Sequence, residues 1–395
     1  MANQSRGVDY FTPANPDAPY FAIKIEDAIY DIDINYIESF TITRYKDQAG
    51  EFSFTIVNVN DPGPKGLEYK FCSLINSSDT ENINFQYGWN KGPKSPWYSG
   101  QIMDYTPTFL PGGYIKLDVT GHIVARGEKM AEQTLSYIAT SGSDLVAQIA
   151  EDMGWVIEEI EPSQPFSKPQ HFSISNVDAC SYIRDVVEPK TFNAKKEPYK
   201  FVLDSQNGVD HFYFVSVNKT VGTQRNFNFF VNMGNYGSVL SWSPSYKARS
   251  IAARVMESPI FDTDTNDINV YSAGSAVRKQ LEKGPTLTVY GSTDPEYMEA
   301  LLANKWYHEN IGYISASLEI VGDPTITPLT KINVIPMDST GNPHLSAGTY
   351  LVKEIVDTIS GDFRSSLTLT QMGIDGENGL ERMPFEENVD LKGVE

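Results

Sequence analysis

Residues 312–373 constrain the fold more than any other part of the chain. Apolar side chains recur at every second position of 313–320, at Ile314, Ala316, Leu318 and Ile320. A period of two predicts a strand that is buried on one face. A Gly322-Asp323-Pro324 turn, a short strand, a loop and a hairpin follow without an intervening helix. This order predicts a small antiparallel barrel.

Size and composition favour two or three strand-rich domains. The chain has 395 residues, of which 40% are hydrophobic and 12% aromatic, and it contains 29 Gly and 23 Pro. Such lengths exceed one ordinary domain, and this mixture is typical of strands joined by many turns. The net charge is −20. This charge argues against a protein that binds nucleic acid over its whole surface, because phosphate contacts come from Lys and Arg.

The sequence contains no recognisable transmembrane segment or secretory signal. No run of about 18 apolar residues occurs, so we expect no membrane span. Residues 1–7 lack the apolar stretch of a secretory signal, and we expect synthesis in the cytoplasm. The two cysteines, Cys72 and Cys180, lie in unrelated segments and are expected to be free thiols.

The first part of the chain predicts an antiparallel barrel at residues 20–125, after an extended arm at residues 1–19. Two pairs of alternating segments predict hairpins. One joins 39–44 to 51–58 through a turn at 47–50, and the other joins 97–105 to 114–124 through Pro111-Gly112-Gly113.

Residues 126–235 have the pattern of a mixed α/β region. Ser143 begins an apolar-periodic segment that ends at Gly154, which predicts a capped helix. A second helix is predicted from near Asn176 to Pro189. Strands are predicted at 199–204 and 211–218.

Residues 236–375 predict a second barrel, which includes a helix at 293–310 and is completed by earlier segments. The helix begins with Thr293-Asp-Pro-Glu296, a capping-box pattern with proline in the first turn. For the acidic tail at 376–395 we expect disorder, or ordering only on a partner. The predicted fold class is therefore mainly β with α+β insertions: two antiparallel β-barrel domains and a mixed α/β middle region.

The motifs do not indicate a catalytic, cofactor or metal site. The histidines lack zinc-ligand spacing; they are His122, His171, His211, His308 and His344. Phosphate-binding glycine loops and the Gly-x-Ser-x-Gly elbow are absent from the sequence. We therefore expect no enzyme activity and no cofactor.

One acidic loop begins like a calcium site. It reads Asp262-Thr-Asp264-Thr-Asn266-Asp267. Asp267 stands where a calcium loop needs glycine, and Ala273 stands where it needs a bidentate glutamate. The sequence therefore favours a solvated acidic loop.

Two clusters of side chains have an alternative functional interpretation. The first is aromatic and would suit a glycan groove: Trp89, Trp97, Tyr98 and Tyr105. Aromatic residues at strand spacing more often lie in a core or an interface. The second is acidic and consists of Glu158, Glu159 and Glu161. Glycoside hydrolysis needs paired carboxylates, but a solvated acidic edge is the favoured interpretation.

The order of these segments resembles the baseplate hub proteins of contractile-tailed bacteriophages, of the late control protein D type. The N-terminal part of the valine-glycine repeat spike proteins of type VI secretion is similar. The likeness covers most of residues 20–375. It is carried by the hairpin from Trp97 to Gly121, by SDLVAQIAEDMGW and NVDACSYIRDVV, by the strand that ends at Pro244, and by Val321-Gly-Asp-Pro with the strands up to Gln371.

The resemblance implies a structural virion protein of the tail baseplate. Such a hub carries two homologous barrels per chain, and three chains form a ring that adapts the sixfold tail tube to the threefold spike. The implied partners are two further copies, a tail tube protein or tube initiator, a separate central spike protein, baseplate wedge proteins and the tape measure protein. DNA passes through the lumen without specific binding.

Two other functions remain open at this point. One is a glycan-binding or peptidoglycan-cleaving tail-tip protein. The other is the hub of a non-viral contractile injection system.

Overall fold

A computed structural model describes the greater part of the chain. The described residues are 18–25, 28–46, 50–57, 82–112, 114–123, 134–175, 177–195, 197–217, 219, 221, 225–230, 239–246, 254–258, 270–272, 286–290, 314–328, 330–337, 344 and 346–373. Several predictions lie outside them: most of the N-terminal arm, the helix at 293–310, the acidic tail and the loop at 262–267, as well as Cys72 and His308.

The N-terminal third is built of strands. They are β1 (Pro19–Ile25), β2 (Ala28–Ile32), β3 (Ile37–Tyr45), β4 (Glu51–Val57), β5 (Asn82–Trp89), β6 (Tyr98–Leu110) and β7 (Tyr114–Ile123), with a 3₁₀ turn at Ile34–Tyr36. Both predicted hairpins are present, because β3 pairs with β4 and β6 pairs with β7 in antiparallel register.

The middle of the chain mixes strands and helices. Its elements are β8 (Leu135–Ser141), α1 (Gly142–Met153), β9 (Val156–Ile160), β10 (Pro165–Ile174), α2 (Ala179–Tyr182), β11 (Tyr199–Gln206) and β12 (Val209–Ser216). The strands form two small sheets, β8 with β10, and β11-β12-β9. The predicted helices and strands of this region are confirmed, with shifted ends.

The helix ends differ from the prediction because other residues make the caps. Ser141 caps α1, since its hydroxyl accepts from the Asp144 amide at 3.1 Å. The hydroxyl of Ser143, the predicted cap, instead accepts from the Ser163 amide at 3.0 Å. Helix α2 continues as a π turn at Ile183–Val187 and a 3₁₀ turn at Glu188–Lys190, so Pro189 lies inside the helical run. Proline is tolerated in a first turn because its missing N–H is not needed there.

The C-terminal part is again made of strands. They are β13 (Arg225–Phe230), β14 (Val239–Tyr246), β15 (Arg254–Ser258), β16 (Val270–Ser272), β17 (Thr286–Tyr290), β18 (Ile314–Val321), β19 (Lys331–Met337), β20 (Gly348–Ser360) and β21 (Asp362–Gly373). The alternation predicted for β18 is confirmed, since Ala316, Leu318 and Ile320 are buried.

Thirteen of the described strands share one sheet. Its order is β14-β18-β21-β20-β3-β4-β7-β6-β5-β1-β2, with β19 beside β20 and β13 beside β19. The pairing of β3 with β20 joins the strands of the two predicted barrels directly, from Phe40 opposite Ile359 to Tyr45 opposite Glu354. The fold is mainly β with small helical insertions. The domain boundaries given above stay a prediction.

The core of the N-terminal strands is aromatic and includes a residue from the far end of the chain. Its buried rings are Phe21, Phe40, Phe52, Phe54, Phe85, Tyr87, Trp89 and Tyr98. Phe363 of β21 packs among them, with its ring centroid 5.8 Å from that of Tyr87 and 5.4 Å from that of Trp89. Such pairs stabilise a core beyond the area that they bury. Among the described residues, no helix is both long and apolar enough to cross a membrane.

Gly121 on β7 is expected to be intolerant of a side chain. A Cβ there would lie 2.2 Å from the Gln101 carbonyl oxygen and 2.5 Å from the Phe52 ring. We expect Gly121→Ala to lower the free energy of unfolding by about 1–3 kcal/mol, because overpacking forces a buried ring and a backbone to shift. Urea denaturation measures the loss. The exposed neighbour Thr120 supplies the control, and a loss from Thr120→Ala as large as that from Gly121→Ala would contradict the steric explanation.

Candidate functional site

A buried polar cluster holds the N-terminal and C-terminal strands together. At its centre is Asp357 of β20, which is fully buried. Its carboxylate accepts from Arg44 Nη2 at 2.8 Å, from the Tyr87 hydroxyl at 2.5 Å and from the Ser365 hydroxyl at 2.5 Å. Arg44 also donates Nη1 to the Tyr98 hydroxyl at 3.1 Å. A carboxylate with these partners and no solvent exposure is suited to hold strands in register rather than to react with a substrate.

The electrostatics of this cluster favour the charged form of the Arg44 guanidinium. Desolvation works against the charge of Arg44, but the neighbouring Tyr87, Tyr98 and Asp357 more than offset it, so the pKa of the guanidinium lies above its ordinary value. Burial raises the pKa of the Tyr98 phenol to about 12, with Arg44 opposing the shift. Burial also raises the pKa of Tyr87. Both phenols therefore remain neutral donors over the physiological range.

The turn at Gly322, Asp323 and Pro324 belongs to the same junction. The Trp89 indole donates to the Gly322 carbonyl at 2.8 Å, and the Gly322 amide donates to the Phe363 carbonyl at 2.9 Å. The Asp323 amide donates to the Ser365 hydroxyl at 3.0 Å. This turn, singled out by the sequence, is thus fixed to the polar cluster and to the aromatic core.

The middle region docks on the main sheet through the β11–β12 hairpin. Asn207 and Gly208 form its tight turn with φ of 52° and 75°, the conformation that Asn-Gly hairpin turns require. The Asn207 amide donates to the Trp97 carbonyl at 2.6 Å. Asp204 of β11 faces Arg44, and although burial raises the pKa of its carboxyl, Arg44 opposes the shift.

A buried lysine lies where β11 meets the C-terminal strands. Lys200 Nζ donates to the carbonyls of Val217 and Lys219 at 3.0 and 2.6 Å. The pKa of Lys200 is lowered to about 7, chiefly by burial and also by the nearby Lys331 and Lys46, while Glu161 and Glu188 oppose the shift. The ammonium is therefore partly discharged near neutral pH.

The described histidines are separate from one another. His211 Nδ1 contacts Glu158 at 2.7 Å, His171 contacts Ser136 at 3.2 Å, and His344 contacts Ser346 at 2.8 Å. His122 lies on β7. Within the part of the chain that the structure describes, no group of three His, Cys, Asp or Glu could hold a metal ion. Cys180 is a buried free thiol.

The aromatic candidates for a glycan groove lie mainly in the core. Trp89 and Tyr98 are buried, and Tyr105 packs against the same cluster. Trp97 is partly buried, and its carbonyl receives the Asn207 amide. The structure thus uses this aromatic set for packing, the interpretation that its strand spacing favours.

The acidic candidates form ion pairs instead of a purely solvated edge. Glu158 pairs with His211, and Glu159 pairs with Lys219. Glu161 contacts Lys219 at 3.2 Å and accepts from the Ser216 amide at 2.6 Å. Burial works to raise the pKa of Glu161, but these hydrogen bonds outweigh it and lower that pKa. The three carboxylates therefore tie β9 to β12 and to the residues after β12.

The tip of the β6–β7 hairpin carries exposed apolar side chains. Phe109 is 71% exposed, Tyr114 50% and Leu110 42%. Phe109 pairs with Ile115, in the row that continues inward to the buried Leu117 and Val119. The core-facing row of the hairpin thus extends beyond the core. The buried cluster is a structural site, and this tip is a candidate interaction surface.

No protein-family model matches the sequence, and no curated protein matches it either. Solved structures do share the fold. A tail protein from Neisseria meningitidis superposes with a TM-score of 0.60 at 10% identity, covering 92% of this chain and 99% of that chain. The 43 kDa tail protein of prophage MuSo2 from Shewanella oneidensis gives 0.59 at 11% identity, covering 90% and 98%.

A third solved structure comes from a secretion system. The E. coli c3393 protein is a component of the type VI secretion system with structural similarity to the T4 bacteriophage tail proteins gp27 and gp5. It gives a TM-score of 0.51 at 9% identity, covering 92% of this chain and 80% of that chain. The resemblance predicted from the sequence is confirmed at the level of the fold.

Removing Asp357 is expected to destabilise the protein strongly. Asp357→Ala leaves the Arg44 charge buried without its carboxylate, and such changes cost about 3–5 kcal/mol. The single variant Arg44→Met and the double variant Arg44→Met with Asp357→Ala complete a cycle, and the double variant should lose less than the sum of the two single losses because it removes both charges. Urea denaturation of the four chains gives the coupling. The exposed partner of Arg364, Asp362, is the control, and Asp362→Ala should change stability little.

The buried Lys200 predicts a pH dependence of stability. Its pKa falls from 10.5 to about 7 on folding, so between these values the unfolded chain binds more protons. Its contribution to stability therefore rises as the pH increases from about 7 to 10.5 and is most unfavourable below pH 7. We expect Lys200→Met to raise the urea midpoint at about pH 6 and to flatten the rise toward pH 9.

The exposed Lys168 provides the matched control for this pH dependence. Lys168→Met should retain the pH profile of the parent chain. If Lys200→Met showed the same slope as Lys168→Met, the burial of the Lys200 charge would not govern the pH dependence.

Proposed function

We propose that the chain is a trimeric baseplate hub that adapts a sixfold tail tube to a threefold central spike. The observation that carries the proposal is the extent of the structural match, 92% of this chain and 99% of the tail protein from Neisseria meningitidis. A match along both whole chains supports an equivalent architectural role more strongly than a shared single domain would. In this proposal the protein resides in the tail of a virion.

The strand order supports a subunit that transmits force between its two halves. Strands from both ends of the chain share one sheet through β3 and β20, and Phe363 lies in the N-terminal core. Forces applied to either half would therefore act on one continuous hydrogen-bonded sheet. The proposed partners are two more copies, a tube protein or tube initiator, a separate spike, wedge proteins and the tape measure protein.

A non-viral contractile injection system is the second candidate. Similarity to a component of the E. coli type VI secretion system favours it. Both candidates predict the same assembly around this chain, and they differ in whether DNA or protein cargo passes the hub.

The mass of the particle tests the trimer. We expect light scattering on the purified chain, and quantitative mass spectrometry on isolated tails, to give three copies per assembly. Three copies follow from a head-to-tail interface that closes by cyclic symmetry. A strict monomer in both solution and isolated tails would overturn the proposed hub.

A second measurement addresses DNA passage. The net charge of −20 favours a lumen along which DNA moves without adhering, because binding through counterion release needs basic groups. We expect no retardation of duplex DNA by the purified chain even at low salt. Tight, salt-sensitive binding would contradict the passive channel while leaving the trimer intact.

A third measurement tests the alternative of an enzymatic tail-tip function. The proposal predicts that the chain releases no soluble fragments from peptidoglycan. Hydrolysis that a single carboxylate-to-amide substitution abolishes would replace the structural proposal with an enzymatic one.

A further inference from the structure

The tip of the β6–β7 hairpin is uncharged in a strongly charged chain. Residues 105–115 contain no Asp, Glu, Lys or Arg, whereas such residues make up 21% of the chain. The tip exposes apolar groups on both faces, because the neighbours Phe109 and Leu110 point to opposite sides of the strand. Two-sided apolar exposure suits insertion against a partner surface rather than contact with water.

Two charged residues border this tip, Asp104 and Lys116. Lys116 Nζ contacts Glu38 at 3.0 Å and Asp118 at 3.8 Å. The tip itself, residues 105–115, presents no charged side chain to an approaching surface.

A second uncharged and exposed surface lies on β14. The strand, Val239–Tyr246, contains no charged residue, and Leu240 is 47% exposed. Ser241, Ser243 and Ser245 are also exposed. Glu319, the nearest carboxylate on the paired strand β18, contacts Arg364 at 3.1 Å. Among the described strands, β14 stands at one end of the sheet order, while β7 and β6 are the seventh and eighth strands of that order.

Electrostatics select which surfaces can meet between two copies. Each copy carries a net charge of −20, so most surfaces repel one another. Uncharged surfaces avoid this repulsion, and apolar ones also gain from the removal of water. The apolar hairpin tip and the uncharged, serine-rich β14 both avoid the repulsion, and neither contains a charged residue that would be buried.

We propose that the uncharged hairpin tip of one copy binds the exposed side of β14 on the next copy. The two surfaces differ, so the contact is heterologous and repeats head to tail until the ring closes. This inference rests on the proposed trimer and assigns its interface. It commits to a second copy of this chain as the occupant of both surfaces.

Cysteine cross-linking tests the assignment directly. Phe109→Cys and Ser243→Cys in one chain should, on mild oxidation, yield covalent oligomers that end at a trimer. Each single variant should give no more cross-linked product than the parent chain, which accounts for the native thiols. The matched control pairs Ser243→Cys with Ile138→Cys, since Ile138 is exposed to 65% but lies on β8. Dimers from Phe109→Cys alone would show tip-to-tip contact and overturn the heterologous pairing.

A charge placed on the tip provides an independent test. We expect Phe109→Asp to weaken self-association at least tenfold by light scattering, while circular dichroism and the urea midpoint stay unchanged. Ile138→Asp introduces the same charge on another exposed apolar residue and should leave association unchanged. Equal effects of the two substitutions would overturn the assigned interface.

The outcomes separate this inference from the proposed function. A parent chain that forms trimers but gives no cross-link through Phe109 and Ser243 contradicts the interface and keeps the hub. A parent chain that is monomeric up to its highest soluble concentration and in isolated tails contradicts both.

Discussion

The structure depends on the buried ion pair between Arg44 and Asp357. These residues are 313 positions apart in the sequence, yet their side chains meet at 2.8 Å with almost no solvent exposure. Two charges removed from water destabilise a core unless every donor and acceptor is well placed. The hydroxyls of Tyr87 and Ser365 complete the carboxylate's partners. The pair therefore stabilises only the pairing of β3 with β20 that brings all four groups together, and other registers would bury unmatched charge.

The aromatic core and the Gly322 turn depend on the same register. Phe363 reaches Tyr87 and Trp89 only when β21 lies beside β20 in the observed alignment. The Trp89 indole then meets the Gly322 carbonyl. Apolar packing is tolerant of slippage, whereas a hydrogen-bonded charge is not. The buried ion pair thus specifies the register, the aromatic packing stabilises it, and strands from the two ends of the chain join in one sheet.

Sequence periodicity predicted the local structure well but could not identify this junction. Alternation gave the hairpins of β3–β4 and β6–β7 and the buried face of β18, because burial on one face imposes a period of two. Arg44 lies in phase with the buried Phe40 and Ile42, and Asp357 lies in phase with Ile355 and Ile359. A charged residue at a position whose strand neighbours are buried indicates a buried polar site. The sequence does not reveal that Arg44 and Asp357 meet, because pairing between strands 313 residues apart leaves no local pattern.

The positions of charged and uncharged side chains affect both the stability of the chain and its association with other copies. The buried basic groups of β3 and β11 are compensated locally: Arg44 donates to Asp357, and Lys200 donates to two carbonyls. Most of the net charge of −20 lies outside this junction, where it opposes the approach of other copies. Association between copies is therefore favoured where the surface is locally uncharged. The hairpin tip and β14 are such places, and the interface proposed above follows from this distribution of charge.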